Sequence, residues 1–198
     1  MRRRVPRSMA ISAGATEPAL VDWVEGLSAA GVESLQVREK GLNDRDLLDL
    51  VDAAVRTAAG RLLVLVNGRC DVALAAGADG VHLPSRGVPT IAARRLLGDD
   101  RLLGRSTHTL DEIRQAAREG ADYVTYGPIF ETPGKGAPVG LEGLSRAAAL
   151  GLPVLALGGL TPERCETALR SGATGLAAIR MFQGGPALEA FRRVLSTQ

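Results

Sequence analysis

The sequence predicts an α/β protein, a single (β/α)8 barrel of the TIM type. Three observations carry that expectation. Eight short strand-like segments alternate with helix-like ones at roughly 25 residues per unit, as parallel strands joined by crossover helices do. The run Leu62 to Val66 is apolar throughout, as in a parallel strand covered on both faces. The phrase Ala-Gly-Ala-Asp-Gly at 76–80 returns as Glu-Gly-Ala-Asp-Tyr at 119–123 and Ser-Gly-Ala-Thr-Gly at 171–175. Each closes a helix with glycine and opens a strand. At 198 residues the chain is shorter than the about 250 typical of such barrels, and a doubly wound open sheet is the alternative.

The elements follow in order. Met9 to Ser12 is a first strand, after an N-terminal stretch, 1–8, expected to be disordered or extended. Thr16 can cap a helix carrying Leu20, Val21, Trp23, Val24 and Leu27 at helical spacing, which Gly31 ends. Ser34 to Arg38 alternates as a strand, and Asn43 is the expected N-cap of the helix through Val55. The apolar strand at 62–66 is followed by a short helix, which Asp71 is expected to cap, then the strand Gly80 to Leu83. Pro89 to Leu97 reads as helix, Leu102 to Ser106 as strand and Thr109 to Glu119 as helix. The β-branched and aromatic run Asp122 to Tyr126 is the sixth strand. Leu141 to Leu150 and Pro162 to Ser171, the latter with Thr161 as its expected cap, are helices around the strand Val154 to Leu157. Leu176 to Ile179 is the last strand and Pro186 to Leu195 the last helix. No linker or shift in composition divides the chain, so 1–198 reads as one domain.

Composition narrows the function classes. Hydrophobic residues make up 45%, charged residues 23% and aromatics only 3%, so the core is aliphatic. A net charge of +2 is too balanced to argue for nucleic acid, and no stretch is apolar enough to span a membrane. Cys70 and Cys165 lie far apart without metal spacing and read as reduced thiols of a cytoplasmic protein. With only His82 and His108 present, a zinc site is not expected. The sequence is compatible with a homo-oligomer.

In a barrel, chemistry sits where strands end and the following loops begin. Those positions deliver Gln36, Arg38 and Lys40, then Asn67, then Ser106 and His108. The sixth strand opens at Gly127 into a loop carrying Thr132 and Lys135 among glycines and prolines, a place to hold a phosphate. Gly158-Gly159 precedes a helix and is the second phosphate candidate, with Ile179-Arg180 at the end of the eighth strand. His82, between Val81 and Leu83, reads as a packed or supporting residue.

Taken together, these motifs resemble one family. Gln36-x-Arg38-x-Lys40, Asn67, Ala78-Asp79-Gly80-Val81-His82-Leu83, Gly104-x-Ser106-Thr107-His108, Gly127-Pro128-Ile129-Phe130-x-Thr132-x-x-Lys135 and Ala156-Leu157-Gly158-Gly159 appear in that order. They are similar to the thiamine-phosphate synthase/TenI family of barrels, from about Leu35 onward. The resemblance implies small-molecule ligands, thiazole phosphate or thiamine phosphate. It assigns Gln36, Arg38, Lys40 and Asn67 to a pyrimidine diphosphate, with Ser106 and Lys135 near the diphosphate. Thr132, Gly158, Gly159, Ile179 and Arg180 would hold the thiazole phosphate.

The family has two branches. Synthases condense the pyrimidine diphosphate with thiazole phosphate and use Mg²⁺ held by two aspartates. Here Gly68 and the turn Pro84-Ser85-Arg86-Gly87 stand at those positions, with Arg69 and Arg86 as nearby cations. No metal and no cofactor are therefore expected, Mg²⁺ entering only if the synthase reading holds. Val66-Asn67-Gly68-Arg69, Leu83-Pro84-Ser85 and Gly104-Arg105-Ser106 resemble the TenI branch, whose characterised activity is thiazole tautomerase. The leading expectation is that isomerase activity on thiazole carboxylate phosphate. Pro128 stands where that branch has its acid/base histidine, leaving His108 and Glu131 as the catalytic candidates. The alternatives are the synthase and a non-catalytic thiazole- or thiamine-phosphate-binding regulator.

Overall fold

The structure is a computed structural model that describes residues 4–182 and 188–189. Eight strands alternate with seven helices among them: β1 Ser8–Ile11, α1 Glu17–Ala29, β2 Ser34–Val37, α2 Asp44–Ala58, β3 Leu63–Asn67, α3 Cys70–Ala75, β4 Gly80–Leu83 and α4 Thr90–Leu97. Then follow β5 Leu102–Thr107, α5 Leu110–Arg118, β6 Tyr123–Tyr126, α6 Gly140–Ala148, β7 Val154–Leu157, α7 Pro162–Arg170, β8 Gly175–Ala178 and a 3₁₀ turn, Arg180–Phe182. Each strand pairs in parallel with the next, and β8 pairs with β1, so the sheet is a closed barrel and the open-sheet alternative falls. The helix expected over 186–195 lies outside the described residues apart from Leu188 and Glu189. No helix among the described residues is long and apolar enough to cross a membrane.

Two apolar layers hold the barrel. Met9, Ile11, Leu65, Leu102, Tyr123, Leu155 and Ala177 form one buried cluster, contributed by strands alone. The alternate strand residues, such as Leu35, Val64, Val66, Val81 and Val124, join helix residues such as Leu20, Val51, Ile113 and Leu144 in the second. Full burial of such aliphatic side chains stabilises by about 1.5–3 kcal/mol each. Gly104 makes room inside: a Cβ there would stand 2.2 Å from Tyr123 Cζ and 2.6 Å from His82 Nδ1.

The recurring turn phrase has a fourth copy, Gly31-Val32-Glu33-Ser34, so it closes every odd helix. Gly31, Gly77, Gly120 and Gly172 all take positive φ. The amide after each glycine donates five residues back: Val32 to Leu27, Ala78 to Ala73, Ala121 to Ala116, Ala173 to Ala168. That is a Schellman closure, with the residue after glycine buried each time. The next residue then accepts from the entry of the preceding strand. Glu33 takes the Arg7 amide at 2.7 Å, Asp79 that of Val64 at 2.7 Å, Asp122 that of Leu103 at 2.8 Å and Thr174 that of Val154 at 3.3 Å.

Three local expectations are corrected. The first strand begins at Ser8 and ends at Ile11 rather than running from Met9 to Ser12: Ser8 is a buried strand residue and the Arg7 carbonyl accepts from Leu176 N. Asp71 does not cap α3; it lies inside the first turn, and its carboxylate accepts two hydrogen bonds from Arg69, at 2.9 and 2.6 Å. Thr16 and Thr161 occupy N-cap positions without a side-chain cap bond, whereas Asn43 accepts from Asp46 N and Thr109 forms a capping box with Glu112.

Candidate functional site

The carboxyl ends of all eight strands converge on one cavity of about 460 Å³, within the range of small-molecule sites. Gln36, Arg38, Lys40, Asn67, Ser106, Thr132, Lys135, Gly158, Gly159, Ile179 and Arg180 all line it, as does His108. The residues named from sequence for ligand and phosphate binding therefore share one mouth. Glu131 is the exception: its side chain is exposed and does not line the cavity. The loop after β6 turns here toward β7, with the Phe130 amide donating to Gly158 O at 3.2 Å, and Glu131 is carried to the outside. That removes it as a catalytic candidate.

Each side chain is placed by its strand. Gln36 is buried and its Nε2 donates to Asn67 Oδ1 at 2.9 Å, across the β2–β3 pairing. β2 ends at Val37, so Arg38 and Lys40 reach the cavity from the following loop rather than from the strand face. Glu39 between them turns away, accepting from Gly14 N at 2.5 Å. His108 Nδ1 donates to the Gly127 carbonyl at 2.6 Å, so that nitrogen carries a proton. Thr132 Oγ1 donates to Phe130 O at 2.9 Å, so its oxygen is free only to accept.

His82 is built into the floor. Nδ1 meets Tyr123 OH at 3.0 Å; Nε2 meets Ser106 Oγ at 3.0 Å and Thr125 Oγ1 at 3.3 Å. Either tautomer satisfies both nitrogens. Burial, assisted by the Arg105 charge, pushes the imidazole down to about 3, so it is neutral and acts as a brace for Ser106. Burial also pushes the Tyr123 hydroxyl up. Thr125 was missed from sequence. Strand alternation puts it on the inward face with Tyr123, a signal that was available. Pro84 and Ser85 also line the cavity and were missed as ligand contacts.

The double glycine is required by close approach. Gly158 and Gly159 take φ of 98° and 63°. A Cβ at the first would stand 2.7 Å from Pro128 Cα, and at the second 2.6 Å from Glu131 O. Bare backbone therefore faces the cavity between the β6 loop and α7.

The described lining of the cavity lacks the ligands that the metal implied by the synthase branch requires. Among the described residues no carboxylate lines the cavity, and no group of three His, Cys, Asp or Glu side chains is able to hold an ion. Gly68 has φ of 70°, and a Cβ there would press on Pro84 Cδ at 3.3 Å. Asp44 and Asp71, the nearby acids, are held by Arg69 at 2.6 Å each. Mg²⁺ wants hard oxygen ligands, and this donor set does not fit it. Arg69 and Arg86 do not line the cavity either; among the described residues the cations that do are Arg38, Lys40, Lys135 and Arg180. The cysteines lie elsewhere, free and buried, with burial pushing Cys165 up to about 12.

Comparison with known proteins agrees with this geometry. A family model described as thiamine monophosphate synthase matches residues 9–182. A thiamine-phosphate synthase of Roseiflexus castenholzii is 40% identical over 186 residues, covering 91% of this chain and 82% of its own. One from Anaeromyxobacter dehalogenans is 45% identical over 164 residues, covering 81% and 74%. Among solved structures, a thiamine phosphate pyrophosphorylase from Pyrococcus furiosus superposes with a TM-score of 0.84 at 28% identity, over 96% of each chain. With a matching barrel, a matching order of strand-end motifs and these relatives, the chain belongs to the thiamine monophosphate synthase/TenI family.

Proposed function

We propose that the protein is a thiamine-phosphate synthase, a transferase that joins a pyrimidine diphosphate to thiazole phosphate and releases diphosphate. The observation that carries this is the charge of the cavity: among the described residues Arg38, Lys40, Lys135 and Arg180 line it and no carboxylate does. Two substrates bearing a phosphate and a diphosphate supply the anions such a site needs. The names and coverage of the relatives support the same reading. The tautomerase expectation drew on local motifs and finds no support among those relatives. Its acid/base candidates are also reduced to His108, since Glu131 lies outside the cavity and His82 is held neutral.

The residues divide the work by position. The Gln36–Asn67 pair presents fixed polar groups beside Arg38 and Lys40 on the β2–β3 side. Ser106, braced by His82, stands at the floor. Lys135, Gly158, Gly159 and Arg180 offer charge and bare backbone on the β6–β8 side. As diphosphate departs, negative charge grows on its oxygens, and cations already in place stabilise it without reorganisation.

The test is direct. Purified protein is supplied with both substrates, and thiamine phosphate and released diphosphate are quantified. Stoichiometric appearance of both products is expected. Binding of thiamine phosphate without any condensation would replace this reading with that of a non-catalytic binding protein. Aromatisation of thiazole carboxylate phosphate in the absence of condensation would restore the tautomerase.

A further inference from the structure

We propose that this protein binds diphosphate directly on its side-chain cations, in the free form rather than as a divalent metal complex. The inference rests on the transferase reading for the identity of the anion, but its argument comes from two features of the site. Arg38, Lys40, Lys135 and Arg180 line one cavity, and none of the four has an ion-pair partner among the described residues. Like charges crowded without counter-charge raise the affinity of the site for a multiply charged anion. A metal–diphosphate complex would bring part of that charge already neutralised.

The second feature is the loop after β4, where the family resemblance expects a metal carboxylate. It is fastened instead by a guanidinium. Arg105 NH1 donates to Val88 O at 2.7 Å and NH2 to Ser85 O at 2.9 Å. The loop thus presents its carbonyls to Arg105 and its Ser85 to the cavity. On the opposite bank, a carboxylate at position 68 is opposed by the positive φ and the Pro84 ring. Both banks of the metal position are therefore built for another purpose: one is closed by proline, the other tied to arginine.

Calorimetric titration of the intact protein with inorganic pyrophosphate tests this, once in EDTA and once in excess Mg²⁺. Binding in EDTA is expected, with affinity equal to or greater than that in Mg²⁺. Arg38→Ala and Lys135→Ala are each expected to weaken it roughly tenfold to hundredfold, as loss of a charged hydrogen bond does, with unchanged melting temperature. Binding that appears only with Mg²⁺ overturns the proposal, as does unchanged affinity in both variants. The two readings fail separately. Condensation with Mg²⁺-dependent pyrophosphate binding sinks this inference and leaves the transferase standing. Metal-free binding without condensation does the reverse.

Discussion

His82 and Tyr123 share a hydrogen bond of 3.0 Å inside the closed barrel, where both side chains are almost wholly buried. The imidazole is pushed from its ordinary 6.5 down to about 3, first by burial and then by Arg105. Native protein therefore refuses a proton that the unfolded chain accepts. The histidine's contribution to stability is present above about 6.5 and is lost as pH falls, by roughly 1.4 kcal/mol per pH unit until the native ring titrates. Replacing it by glutamine removes that slope. Urea unfolding of wild type and His82→Gln between about pH 7.5 and about pH 4.5 is expected to show wild type losing ground to the variant as acid is added. A difference independent of pH refutes it.

Asp122 accepts from Arg94 at 2.6 Å and from the Leu103 amide at 2.8 Å, with both side chains close to fully buried. Asp122→Ala leaves the Arg94 guanidinium with only the Gly98, Arg101 and Gly120 carbonyls and no counter-charge, and a strand-entry amide without its acceptor. A loss of about 3–5 kcal/mol is expected by denaturant titration. Asp111, whose pairing with Arg114 is on the surface, serves as the control; Asp111→Ala should shift stability by less than about 1 kcal/mol.

Gly104 faces Tyr123 and His82 so closely that no side chain fits. Gly104→Ala is expected to destabilise by about 3 kcal/mol or more, or to swing Tyr123 out of place. An unaltered melting temperature contradicts this.

The Gln36–Asn67 bond joins two cavity residues on neighbouring strands. A double-mutant cycle over Gln36→Ala and Asn67→Ala should yield a coupling of about 1 kcal/mol in unfolding free energy. Additive losses would show that the two act independently.

Much of this arrangement was readable before any coordinates, for definite reasons. Parallel strands end on one side of a barrel, so naming the strand ends named Gln36, Asn67, Ser106 and Gly158 together. Position along a loop is different, because a loop's path depends on what it packs against. Thus Lys135 lines the cavity while Glu131, four residues earlier, faces outward. Ion pairing is equally hidden: Arg69 follows the cavity residue Asn67 closely, yet its charge is spent on Asp44 and Asp71. The fourth turn phrase escaped notice because Val32 and Glu33 differ in letters from Ala-Asp, although the longer carboxylate does the same thing for Arg7 N. The branch-specific motifs are each a few residues long, whereas similarity to proteins named thiamine-phosphate synthase extends along most of the chain.

The four bonds that odd-strand entry amides donate to side chains at the even-strand entries divide the barrel into quarters, each a strand–helix–strand unit stitched to itself at the amino end. The cavity lies at the other end, where all quarters contribute and none suffices. Such a molecule separates assembly from chemistry. Its lower rim is modular and tolerates exchange one quarter at a time, while its upper rim is a shared device that any exchange must reassemble whole. Grafting a quarter from another barrel would thus preserve the scaffold readily and the positively charged mouth only if the cations of its loops came along.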